Sequence, residues 1–143
     1  MERWALPLLA LYAVVLAVVL FSPSSGTQSG LVYDLVVLFD KLGAPPTLVT
    51  YVRAEVVMNA VIIAPVSFLG STVFPRLRWQ DWTAYAFLGA VTVEMVQGLV
   101  LPQRQASFSD IVANTAGALL GAVLARWLSR RRGRREAFQG PTR

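Results

Sequence analysis

Glu94, Gln97, Arg104, Asp110 and Asn114 fall within one stretch, VEMVQGLVLPQRQASFSDIVANTAGALLG, whose remaining residues are mostly apolar or small. Carboxylates so placed can serve as acid and base or as oxygen ligands to a divalent cation, which makes Glu94 and Asp110 the candidate catalytic residues. Arginine can clamp a phosphate or carboxylate, and amides supply directional hydrogen bonds. At membrane depth such groups are costly, so they face a protein interior or a water-filled cavity and point to function. Glu94 and Gln97 are three residues apart, and Asp110 and Asn114 four apart. Upstream, Glu55 and Asn59 are also four apart, so each pair shares a helix face.

The elements that must position these groups are membrane helices. Hydrophobic residues make up 55% of the 143-residue chain and charged residues only 15%. Soluble domains carry about 25% charged residues, and the deficit places this chain in a bilayer. Cysteine and histidine are absent, which excludes disulfides, Cys/His metal sites, thiol nucleophiles and histidine proton transfer. No cofactor or metal is expected. Acid–base chemistry would rest on carboxylates, of which there are eight. The net charge of +5 comes from arginine, Lys41 being the only lysine. It is densest at Arg126, Arg130, Arg131, Arg132, Arg134 and Arg135. Beside a membrane helix this run reads as a cytoplasmic anchor on anionic headgroups, not as a nucleic-acid site.

The expected architecture is an all-α membrane protein, a four-transmembrane-helix bundle over residues 1–128. Its spans are about 4–21, 52–74, 82–101 and 111–128. The first could instead be a cleaved signal peptide, but its apolar run exceeds the usual h-region and lacks a good small-x-small cleavage pattern, so it is read as retained. Between the first two spans, Ser22–Gly30 reads as a polar linker. Leu31, Leu35, Leu38 and Leu42 then recur at helical spacing, predicting a short interfacial or re-entrant helix over 31–42 in the first external loop. Residues 129–143 form a basic cytoplasmic tail, expected to be disordered. Arginines at the N-terminus, in the Pro75–Asp81 loop and in the tail put both termini in the cytoplasm of a bacterial plasma membrane.

With that direction, Arg53, Glu55 and Asn59 on the second span, Glu94 and Gln97 on the third, and Asp110 and Asn114 on the fourth all fall in the outer leaflet, with Arg104 in the connection above them. Continuing the Asp110–Asn114 face reaches Gly117 and Gly121, a small-xxx-small pattern for close helix packing. Ser107 and Ser109 are candidate caps for the last span, and Asp110 suits its positive dipole end. Asn59, Gln97 or Asn114 alone would be explained by interhelical hydrogen bonds, each contributing about 0.6–2 kcal/mol. Glu94 and Arg104 could be an ion pair that holds the loop down. Three carboxylates and two arginines together exceed what fastening four helices requires, and they predict an outward-facing polar pocket.

The pattern E-x-x-Q, then R, then D-x-x-x-N-x-x-G-x-x-x-G resembles the VanZ-like family of small bacterial membrane proteins, through Glu94, Gln97, Arg104, Asp110, Asn114, Gly117 and Gly121. An earlier family motif aligns with Glu55, Asn59 and Pro65. Here the chain departs from it, with Ile63 where phenylalanine is typical and Ser67 where glycine is typical. The resemblance covers Glu55 to Leu128. It implies a membrane fold and a link to lowered teicoplanin susceptibility, but no settled reaction.

Three function classes follow. The favoured one is a non-enzymatic envelope protein whose pocket binds a lipid headgroup, a glycolipid or a lipid-linked cell-wall precursor. The others are a membrane enzyme acting on a lipid-linked substrate through its carboxylates, and a structural partner of another membrane protein or a small-solute path.

Overall fold

The computed structural model describes residues 3–21, 26–100 and 107–139. Their regular elements are five helices: α1 (Ala5–Leu20), α2 (Gly26–Lys41), α3 (Tyr51–Val73), α4 (Trp79–Val100) and α5 (Phe108–Gln139). Three of them, α3, α4 and residues Phe108–Arg134 of α5, are long and apolar enough to cross a membrane. At 16 residues α1 is apolar but shorter, about 24 Å against a hydrocarbon thickness near 30 Å.

The parallel pair α3 and α5 is the centre of the bundle. Their register is set where Gly117 faces Ala60 and Gly121 faces Ala64, one turn further along both helices. A Cβ built on Gly117 would stand 2.7 Å from the Ala60 carbonyl carbon and would overlap its oxygen. The GALLG pattern therefore seats a helix of the same chain. α4 packs chiefly on α5, while α1 and α2 pack on α3.

The buried residues are small. Ala54, Ala90, Ala113, Ala118, Ala122 and Ala125 fill the interior, whereas Leu11, Val18, Leu88, Leu99 and Leu120 are each more than half exposed. This inverts the pattern of a soluble core. Lipid solvates large apolar side chains, so helices associate by close packing of small ones. Trp82 of α4 is a further contact of this kind. Its ring lies on Gly70 of α3, where a Cβ would stand 2.5 Å from Cζ2.

α1 runs against α3 with its ends at defined levels. Trp4 and Leu8 share a groove with Phe68 and Thr72. Further along, the Tyr12 hydroxyl donates to the Ile62 carbonyl at 2.7 Å. Ile62 stands three residues before Pro65, which lacks the N–H that would reach the neighbouring Val61 carbonyl. Tyr12 thus supplies a donor from a neighbouring helix beside that gap.

Two elements differ from the sequence-based expectation. α2 begins at Gly26, so the Gly26–Gly30 segment expected as linker is helical. It ends in a Schellman turn at Gly43, where φ is +77° and the Ala44 and Gly43 amides reach back to Phe39 and Asp40. α5 continues to Gln139, well past Leu128, so much of the arginine run lies on helix and not on a disordered tail. Arginine is a good helix former, and Arg131 stacks on the Trp127 ring one turn back, 3.6 Å from its centroid.

If the α3–α5 seam is the organising contact, Gly117→Val should destabilise the protein in detergent by about 1–3 kcal/mol. Gly89→Ala, whose added methyl meets open space, should be neutral or slightly stabilising. Equal losses for the two variants in thermal unfolding would remove the seam as the cause.

Candidate functional site

The first turns of α3 and α5 and the last turns of α1 and α4 meet at one end of the bundle. The antiparallel run of α1 and the parallel register of α3 and α5 bring them there. This is the end at which the sequence places its polar residues. They divide into groups that close helix ends and groups left on the partly exposed surface.

Glu94 and Gln97 are both only 5% exposed, and both close helix ends. The Gln97 amide donates to the Leu20 carbonyl at 2.8 Å, pairing a carbonyl that the end of α1 leaves without a helical partner. The Glu94 carboxylate accepts from the Ser107 amide at 2.6 Å, the backbone N–H immediately before α5. The start of α4 shows the local version of the same device. There Asp81, in the first turn, accepts from the Arg78 amide at 2.7 Å. At α5 the equivalent first-turn acid is Asp110, yet the amide is taken by Glu94 from the neighbouring helix. A carboxylate at this position also suits the positive end of the α5 dipole.

The expected Ser107 cap takes a different form. Its hydroxyl pairs with the Ser109 hydroxyl at 2.7 Å, while its carbonyl accepts from the Asp110 and Ile111 amides. Glu94, not a serine side chain, meets the entering backbone.

Glu55 and Asp110 are half-buried on the parallel helices α3 and α5, close enough for their charges to repel. Asn59 is half-buried one turn beyond Glu55. Arg53 does not join them as the sequence suggested. It is exposed, and its guanidinium donates to the Thr47 carbonyl at 2.6 Å, tying down the connection before α3. Thr50 caps that helix by accepting from the Arg53 amide. Arg104 lies outside the described residues, so its expected pairing with Glu94 does too.

Asn114 faces a different space, an apolar cavity of about 250 Å³ between α1, α3, α4 and α5. Ile63 and Ser67 line it as well. These are the two positions at which the chain departs from the family pattern. Ser67 is 1% exposed, so a small residue is still accommodated there. The indole N–H of Trp82, on the same wall, is buried without a hydrogen-bond partner.

Two residues that the sequence did not single out for this arrangement are Tyr12 and Trp82. Neither carries a local signal of its partner. A tyrosine in a fully apolar run is the available hint for Tyr12, whose partner Ile62 lies fifty positions on.

The role of Glu94 is open to a direct check. Glu94→Ala should leave the Ser107 amide without its charged acceptor and cost about 1–3 kcal/mol. Hydrogen exchange at the first turn of α5 should accelerate more than exchange in the middle of α3. Unchanged exchange at Ser107–Ile111 would show that the cap does not hold this junction.

No solved structure and no curated protein matches the chain. A family model described as VanZ/LLP1 matches residues 9–129, most of its length. That span takes in α3, α4, the junction that Glu94 closes and the Gly117–Gly121 seam. The chain therefore belongs to the VanZ/LLP1 family, the VanZ-like family that its motifs resemble.

Proposed function

We propose that this VanZ-like membrane protein is a non-enzymatic binder of a cell-envelope lipid headgroup or lipid-linked cell-wall precursor, held at the polar end of the bundle. The observation that carries this reading is the gathering of half-buried polar groups at one end of the bundle, where Glu55 and Asp110 stand on the adjacent helices α3 and α5 and Asn59 lies one turn beyond Glu55. Two neighbouring carboxylates are poor for stability and good for a ligand that brings hydroxyl or ammonium donors. Binding there would change how a precursor is presented to a glycopeptide such as teicoplanin.

The setting is a bacterial plasma membrane crossed four times. α1 completes the count because its two ends reach the levels of Thr72 and Gln97, at opposite ends of the bundle. Arg3, Arg76, Arg78 and the α5 arginines then lie in the cytoplasm, together with both termini, and the polar end faces outward. α2 lies along the outer membrane surface.

A carboxylate enzyme acting on a lipid-linked substrate is a second reading. The proximity of Glu55 to Asp110 favours it, since such a pair can separate into acid and base. Glu94, engaged at Ser107, then serves as a positioning residue.

The protein purified in nanodiscs from native membrane should retain a defined headgroup class by mass spectrometry. Glu55→Gln with Asp110→Asn should lower its occupancy by roughly tenfold, equivalent to about 1.4 kcal/mol. Equal retention by the wild type and a folded double variant defeats the binding reading. Conversion of a membrane lipid extract to a new product by the wild type, lost in Asp110→Asn, would favour the enzyme.

A further inference from the structure

At the opposite end of the bundle, away from the carboxylates, a groove of about 480 Å³ opens between the start of α1, the end of α3 and the last turns of the apolar part of α5. Its composition is graded. Leu8, Phe68 and Leu69 line its apolar part, and Arg126 and Arg132 stand on its wall from α5. Trp4 and Trp79, residue types that favour the membrane interface, also border it.

Two further observations set this groove apart from an ordinary lipid-facing crevice. Beside its arginines, α5 contributes Ala122 and Ala125 to the lining, side chains too small to fill the space between the helices. In the α3 wall, the Ser71 hydroxyl is buried and has no hydrogen-bond partner. A buried hydroxyl left unpaired is unfavourable, and a ligand oxygen would satisfy it. By contrast, the nearby Thr72 and Ser129 hydroxyls are engaged with the carbonyls of Leu69 and Ala125. Asp81, the acid at the start of α4, lies against Arg78 at 3.8 Å.

We infer that this groove is a second binding site, for the acyl chain and anionic headgroup of a membrane phospholipid in the leaflet at the arginine end. The chain lies against Leu8, Phe68 and Leu69. The phosphate meets Arg126 and Arg132, and an ester or phosphate oxygen accepts from Ser71. A free phosphate would leave the apolar wall unused, and a neutral lipid would bring no charge to complement the Arg126 guanidinium. Arginine adds bidentate hydrogen bonds to the attraction that any juxtamembrane cation has for anionic lipid. The assignment concerns a different end of the bundle from the headgroup site proposed above, and none of its residues is shared.

The test uses the full chain in detergent, titrated with phosphatidylglycerol or with phosphatidylcholine of the same acyl chains, and read by native mass spectrometry. Wild type should hold one phosphatidylglycerol in preference to phosphatidylcholine. Arg126→Gln with Arg132→Gln should reduce that preference about tenfold, the scale expected for two charges at a membrane surface. Arg130→Gln with Arg134→Gln removes the same charge from the same helix at positions that do not line the groove, and should leave most of the preference intact. Ala125→Leu, which fills the groove without altering charge, should weaken both lipids.

Equal losses in the two arginine pairs would overturn the site in favour of diffuse attraction to the arginine run. Absence of any preference in the wild type would overturn it as well. A lipid-free dimer that Ala125→Leu converts to monomer would assign the groove to a second copy of the chain instead.

Discussion

The close approach of α3 and α5 is the constraint on which the other arrangements depend. A bilayer offers little hydrophobic drive to bring helices together, so they adhere where backbones can come near each other. Gly117 and Gly121 over Ala60 and Ala64 provide that nearness and fix a parallel register. From that register follows the adjacency of Glu55 and Asp110, each about a turn and a half or two from the seam. A shift of one helical turn would change their offset along the axis by roughly 5 Å.

The polar residues at that end then perform two physically different tasks. Helices that terminate within a bundle leave amides and carbonyls that neither lipid nor apolar neighbours can satisfy. Gln97 meets such a carbonyl on α1, and Glu94 meets such an amide before α5. These bonds link α4 to its neighbours in a way that the smooth apolar faces cannot. Glu55, Asn59 and Asp110 at the same end are half-buried. A family motif that includes Glu94 and Gln97 therefore contains residues that close helix ends.

Charge divides the molecule along the same axis. Carboxylates gather where α3 and α5 begin, and arginines gather where α5 leaves the apolar part of the bundle and on the turn before α4. The two cavities add to this polarity. The smaller one, beside Asn114, is almost wholly apolar, while the larger one opens among arginines. The two ends thus differ in charge while the middle is closed by alanine and glycine.

Much of this was legible in the sequence alone. Apolar length and low charge specified membrane helices, the three- and four-residue spacings specified which polar groups shared a face, and GALLG specified a close contact. These are properties of a helix by itself, set by its rise and its 3.6-residue turn. Only the tertiary structure decided that the glycine partner is α3 of the same chain, that Glu94 closes the start of α5, and that Arg53 is tied to Thr47 and not to a carboxylate. It also carried α5 through the arginine run and shortened α1 to 16 residues. The glycine contact depends on which surfaces meet across a long separation in the chain, and the Glu94 and Arg53 bonds on partners outside their own helices. Spacing within one helix carries no information about the partner on the other side of the contact.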